Sequence, residues 1–165
     1  MKLLAIVGTN ADFSYNRFLE QFMAKRYQDQ AEIEVYEIAD LPRFKKEAQP
    51  DSKVEEFKNK IRAADGVIFA TPEYDHGIPS SLKSAMEWTG SHAQGNADVM
   101  KMKPVMVLGA SYGIQGASRA QEEMREILLS PDQSANVLPG NEVLIGHAAD
   151  KFDKNTGDLL DQETI

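Results

Sequence analysis

Five short apolar runs alternate with four amphipathic stretches along this chain. Leu3 to Val7 is continuously apolar and gives way at once to Gly8-Thr9-Asn10, the pattern of a strand buried on both faces that ends in a turn. From Tyr15 to Tyr27 the apolar positions Phe18, Leu19, Phe22 and Met23 recur at helical spacing and predict the first helix. Ile33, Val35 and Ile38 mark a second strand closed by Leu41-Pro42. Ser52 with Glu55 then reads as a capping box, opening a helix striped by Val54, Phe57, Ile61 and Ala64. Gly66 to Ala70 is a third strand, broken by Thr71-Pro72, and Pro79-Ser80-Ser81 starts a helix carrying Leu82, Ala85, Met86 and Thr89 on one face. Gly90 to Asp98 is polar and predicts a loop. Pro104 to Gly109 is the fourth strand. Ser118 with Gln121 reads as a second box, opening a helix with Ala120, Met124, Ile127 and Leu128 inside, and Val143 to Ile145 is the fifth strand.

Strands alternating with helices predict the α/β class: a parallel sheet covered on both faces, because parallel neighbours need crossover connections of one hand. The expected sheet has five strands in the order 2-1-3-4-5 within a three-layer sandwich, and residues 1–165 form one domain without repeats or linkers. The last helix is expected to be short or missing, since residues 146–165 are mostly polar and Asp161-Gln162-Glu163-Thr164 reads as a helix start where the chain stops. Part of one sheet face then needs cover from a neighbouring subunit, or the chain is a shortened form.

Composition narrows function by exclusion. A net charge of −8 disfavours binding that neutralises nucleic-acid phosphates or anionic membranes wholesale. Without cysteine there is no disulfide, thiolate nucleophile, iron–sulfur cluster or cysteine-ligated zinc, so any redox chemistry falls to a bound organic cofactor. His76, His92 and His147 lack ligand spacing, and no metal site is expected. There is no signal-peptide pattern or membrane-length apolar run, and the expected location is the cytoplasm.

Ligands in such a sheet bind outside the carboxyl ends of the strands, where the order reverses. Three loops leave those ends. Gly8 to Arg17 offers hydroxyl and amide donors running into a helix N-terminus, a seat for a monophosphate, yet has neither a Gly-Lys-Ser/Thr ending nor a G-x-G-x-x-G turn. Ser14 alone reads equally as the cap of the first helix. Thr71 to Pro79, with two prolines and a glycine, presents backbone groups suited to the edge of a flat heterocycle, or is a plain rigid turn. Gly109 to Gly116 lets backbone approach a planar ring, with Tyr112 as stacking surface. Glu73 and Glu87 read as solvated or hydrogen-bonded carboxylates, and Leu82, Met86 and Trp88 as core or subunit-interface residues.

Together these loops resemble the NADPH-dependent FMN reductase family of flavodoxin-like proteins, which includes quinone and azo-dye reductases. The most specific stretch, Pro72-Glu73-Tyr74-Asp75-His76-Gly77-Ile78-Pro79-Ser80-Ser81-Leu82-Lys83-Ser84-Ala85-Met86-Glu87-Trp88, is similar to the family's Pro-Glu-Tyr-Asn segment and Pro-x-x-Leu-Lys-Asn-Ala helix. Gly8-Thr9 with Ser14-x-Asn16 is similar to its phosphate loop, and Ser111-Tyr112-Gly113 through Gly116 and Arg119 to its third flavin loop. The resemblance runs from Leu3 to about Phe152 and implies an FMN-binding, NAD(P)H-dependent oxidoreductase. Such an enzyme passes hydride from NADPH or NADH through FMN to a small acceptor such as a flavin, quinone or azo compound. By that resemblance Thr9, Asn10, Ser14 and Asn16 hold the FMN phosphate. Pro72, Glu73, Tyr74, Asp75 and His76 border the ribityl chain and ring, and Ser111, Tyr112, Gly113 and Gly116 line the ring's far edge. No side chain need act as acid or base, so no catalytic residue is named; His76 and Tyr112 are expected near the reacting edge. The resemblance also implies homodimers or homotetramers in which the helix after Pro79 meets its partner. Three features depart from the pattern: Ala11 stands where a base is common, Asp75 where Asn is usual, and the closing helix is lacking. The alternative is a flavodoxin-type electron carrier or a non-catalytic flavin-binding protein; the carrier's usual Thr-x-Thr-Gly-x-Thr loop is absent.

Overall fold

The computed structural model describes residues 1–90, 98–140 and 142–165. Strands β1 (Lys2–Val7), β3 (Gly66–Ala70) and β4 (Pro104–Ala110) form the centre of a parallel sheet, with β2 (Glu32–Glu37) beside β1. Within these apolar runs the side chains divide with period two. Leu4, Ile6, Val67, Phe69, Val105 and Val107 pack on one face, and Ala5, Ile68, Ala70, Leu108 and Ala110 on the other. The alternation is invisible in the sequence because both faces are covered. The order 2-1-3-4 is as expected, but the last position is shared. The expected fifth strand is found as β6 (Val143–Ile145), paired with the end of β4, while a two-residue segment that was not expected, β5 (Asn136–Val137), pairs with the start of β4, so among the described residues the sheet has six strands. Pro139, which has no N–H to give a ladder, lies between them.

Helices α2 (Ser52–Ala63), α3 (Ser80–Thr89) and α4 (Ser118–Leu129) cover the first face; α1 (Tyr15–Arg26) and α5 (Ala148–Lys151) cover the second. Their inner positions are largely those the spacing predicts. Trp88 belongs to the core, donating its indole N–H to the Pro42 carbonyl at 2.8 Å. Two caps differ from expectation. Asp51, not Ser52, caps α2, its carboxylate accepting from the Val54 N–H at 2.9 Å; Ser52 is already helical. Ser118 does not cap α4 either: the capping position is Ala117, in the left-handed region, and Gln121 turns inward to the carbonyls of Gly116 and Val143.

The final helix α5 is a single turn, and Asp161 to Thr164 forms a turn instead of starting a new helix. The tail folds back, bridging Phe152 to Leu159 and burying both against the second face. Lys151 ties it down through Asp161 at 3.2 Å and Thr164 at 3.0 Å. Most of the expected loop from Gly90 to Asp98, with His92, lies outside the described residues. Among the described residues no helix is long and apolar enough to cross a membrane.

Candidate functional site

The three loops at the carboxyl ends of β1, β3 and β4 meet around a cleft of about 520 Å³, within the size range of small-molecule sites. Nine of the thirteen expected positions line it: Ser14, Asn16, Pro72, Glu73, Tyr74, His76, Ser111, Tyr112 and Gly113. Thr9, Asn10, Asp75 and Gly116 do not. Phe13, Tyr15, Ala110 and Ala117 join the lining without having been singled out, and Ile114, Gln115 and Arg119 join it from the third loop and its exit. A second hollow, about 680 Å³, lies at the other end of the sheet and is lined largely by charged side chains such as Glu32, Glu34, Glu55 and Lys60.

The first loop is organised around its helix. Ser14 caps α1, its hydroxyl oxygen accepting from the N–H groups of Asn16 at 3.2 Å and Arg17 at 3.4 Å; the hydroxyl proton is left to donate elsewhere. Asn16 is buried and clamps the helix start to β4, accepting from the Ala110 N–H at 2.8 Å and donating to the Ala110 carbonyl at 3.0 Å. Thr9 is fully buried, its hydroxyl 3.0 Å from that of Tyr74, which joins the first loop to the second. Arg17 faces away, donating to the carbonyls of Ala11 and Asp12 and pairing with Glu37 at 2.9 Å. The pairing raises the Arg17 pKa. This loop therefore offers the Ser14 hydroxyl to the cleft, the Asn16 side-chain amide being taken up by Ala110, and Asp12 stays out of the lining. One turn beyond Asn16, Glu20 is fully buried. Its Oε1 accepts from the Ala70 N–H at 3.1 Å, its Oε2 has no partner, and burial pushes its carboxyl well above the usual carboxylate range.

The second loop is a tight hairpin. Tyr74 and Gly77 exchange both backbone hydrogen bonds at 3.0 Å around Asp75 and His76, which both have positive φ, at 50° and 67°. This two-residue turn tolerates Asp at its first central position, where a short polar side chain suits the left-handed region. It throws Asp75 outward and leaves His76 on the cleft. Two carboxylates then lock the loop to α4 in opposite directions. Glu73 Oε2 accepts from the N–H groups of Arg119 at 3.0 Å and Ala120 at 3.4 Å, supplying the cap that α4 lacks. Glu123 of α4 accepts from the Ile78 N–H at 2.7 Å. Glu73 is thus the hydrogen-bonded carboxylate expected, acting as a long-range cap.

The third loop leaves its apolar side chains open: Tyr112 is 66% and Ile114 76% exposed, facing the half-exposed Tyr74. The Tyr112 ring rests edge-on against Tyr15, centroids 5.3 Å apart. Gly116 serves packing. At φ +59° it passes so close to β6 that a Cβ would lie 2.4 Å from the Leu144 carbonyl carbon. A helix N-terminus with the Ser14 hydroxyl at one side and uncovered aromatic faces at the other suit a flat ring with a phosphate tail. Among the described residues no three potential metal ligands cluster.

The comparisons agree with that chemistry. A family model described as NADPH-dependent FMN reductase matches residues 1–150. The chain is 96% identical, over all of its own length and 90% of the relative's, to an NADH-dependent flavin reductase subunit 2 from Lactobacillus johnsonii. It is 47% identical, over its full length and 80% of the relative's, to the NADH:(hydroxy)cinnamate reductase subunit CrdA from Vibrio ruber. The solved flavoenzyme FerB, an NAD(P)H:(acceptor) oxidoreductase from Paracoccus denitrificans, matches with a TM-score of 0.84 at 26% identity, covering 99% of this chain and 88% of that one. On the sheet order, the three loops and a match over nearly its whole length, this chain belongs to the NADPH-dependent FMN reductase family.

Proposed function

We propose that the cleft seats FMN and that the protein is an NADH-dependent flavin enzyme delivering electrons to a small acceptor such as a flavin or quinone. The observation that carries this reading is the cleft itself: donors of the α1 start on one side, exposed Tyr74, Tyr112 and Ile114 on the other, on one rim of the sheet. The chemistry FMN supplies when bound is two-electron transfer, received as hydride from the coenzyme and passed on to the acceptor. This chain's residues hold and orient. The Ser14 hydroxyl would donate to the phosphate, while Asn16 and Thr9 keep the loop in place for it. Pro72 to His76 form the wall along the ribityl chain and ring, stiffened by the hairpin and the Glu73 and Glu123 locks. Ser111 to Gly113 close the opposite wall. No side chain is required to move a proton.

NADH over NADPH follows the relative that is 96% identical, named as NADH-dependent. It is supported by a first loop whose Arg17 is committed to Glu37 and whose neighbours are Ala11 and Asp12, poor company for an extra phosphate. The word subunit in the two relatives' names supports a working assembly with a second chain, in addition to self-association of the kind the resemblance implies. The test is an anaerobic titration of the FMN-loaded protein, freed of unbound flavin, with NADH and separately with NADPH. Rapid bleaching of the bound flavin by NADH is expected. Retained flavin that stays oxidised with both coenzymes would make the protein a carrier, and no retained flavin would refute the seat.

A further inference from the structure

We propose that Arg119 is an oxyanion seat at the mouth of the cleft, taking an anionic group of the ligand that meets the flavin: the coenzyme diphosphate, or an acid group on the acceptor. This rests on the assignment of the cleft to FMN. Among the described residues lining the cleft, Arg119 is the sole permanent cation. Its side chain is 46% exposed. Nη1 donates to the Gln115 side-chain oxygen at 2.9 Å and lies 3.5 Å from Glu73 Oε1; among the described residues Nε and Nη2 have no protein partner. The guanidinium is thus steadied at one nitrogen and keeps donors for two oxygens of a carboxylate, phosphate or sulfonate, which arginine's fork can take bidentately.

Glu73 offsets part of this charge through Oε1, 3.5 Å from Nη1, and is itself balanced at its other oxygen. Its Oε2 is held by two backbone N–H groups at the start of α4, where the helix dipole favours a carboxylate. Elsewhere the protein is acidic, with net charge −8, but exposed charges act weakly beyond about 8 Å, so a local cation decides whether an anion settles here. Tyr74 and Tyr112 supply exposed aromatic faces beside it for the flat part of the same ligand. The favoured ligand class is therefore planar and anionic.

The experiment uses the FMN-loaded protein and its Arg119→Gln and Arg119→Lys variants. The probes are NAD+, whose binding is read as a perturbation of the bound flavin's spectrum, and two acceptors of like ring size, menadione and a naphthoquinone sulfonate. In Arg119→Gln the dissociation constant of NAD+ and KM for NADH are expected to rise roughly ten- to a hundredfold if the anion is the coenzyme's diphosphate. If it is the acceptor's, KM for the sulfonate rises by that factor while menadione and NAD+ are unmoved. Arg119→Lys recovers part of either loss, and added salt narrows the gap between variants and parent. Three results would overturn the proposal: constants unchanged within twofold for every probe, losses as large for neutral menadione as for the anions, or weakened FMN binding in Arg119→Lys. Failure of the unaltered protein to retain FMN overturns the reading of the cleft and is seen before any variant is made.

Discussion

The two faces of the sheet are covered by different means. On the first, three helices of ten to twelve residues press Phe57, Ile61, Leu82, Met86, Met124 and Leu128 onto the strands in one continuous core. On the second, α1 shares the work with a four-residue helix and a folded tail. Aromatic side chains fill that space, with Phe13, Tyr15, Phe18, Tyr112 and Phe152 in edge or tilted contact. The first face is held by area, and the second by fewer, larger groups plus polar fastenings at its edge. The cleft opens onto this thinner side through Phe13, Tyr15 and Tyr112. Stability and access to the site are thereby partly separated.

The strongest way to break the first face is Phe57→Ala. The ring is fully buried and stacked on Tyr36 at 5.4 Å, so its loss removes apolar area and leaves a cavity among helices that cannot close in, at a cost of about 3–5 kcal/mol. Urea unfolding at neutral pH measures it. The matching change on the second face is Leu159→Ala, expected to cost nearer ~2 kcal/mol because a short tail can settle into the vacated space. Equal losses at the two positions would show that the tail is as rigid a part of the core as α2, and the contrast between the faces would collapse.

Sequence reasoning reached the order of strands, the helix stripes and the three loops because each is a local pattern. What escaped it depends on partners far along the chain. Ser118 with Gln121 has the spacing of a capping box, yet α4 is capped by Glu73, 46 positions before Arg119. The side chains of Thr9 and Asn16, both expected at the phosphate, also tie the loops to one another and to β4, which no local pattern shows. Gly116, expected along the ring's edge, also has a positive φ and a close approach to β6 that the sequence does not show. The tail's apolar residues, Phe152 and Leu159, are too sparse to show a period, so its packing left no local signal. Asn16 and Glu20 did leave one: two polar residues four apart on one helix, both turned toward the strand ends.

Glu20 sharpens the comparison, because it is an ionisable group buried on the thinner side. Its folded-state pKa is raised by burial, so the fold favours the neutral carboxyl, and the penalty appears when pH climbs above the ordinary carboxylate value. Native stability therefore declines from about pH 4.3 upward as far as this group is concerned, until the folded-state pKa is passed. Glu20→Gln keeps an acceptor for the Ala70 N–H and cannot ionise. It is expected to raise the melting temperature by a few degrees near neutral pH, on the order of 1 kcal/mol, and to leave it nearly unchanged at pH 4. A constant difference across that range would mean that charge is not the cause.

The smallest effect expected is at the tail's fastening. Lys151 lies 3.2 Å from Asp161, each about 30% exposed, and also donates to Thr164; Asp161 accepts in turn from the Thr164 hydroxyl. A partly exposed pair of this kind contributes little, and less as salt rises. Lys151→Ala is thus expected to shift the melting temperature by only a degree or two at low ionic strength and not at all in high salt. Hydrogen exchange is the more telling measurement. If the fastening holds the tail against α5, the amides of Gly157 and Leu160, which donate to Asp153 and Lys151 carbonyls, exchange faster in the variant while those of β3 keep their rates. Uniform acceleration in both places would mean that the tail opens only with the whole molecule, and that its cover over the second face is as cooperative as the helices over the first.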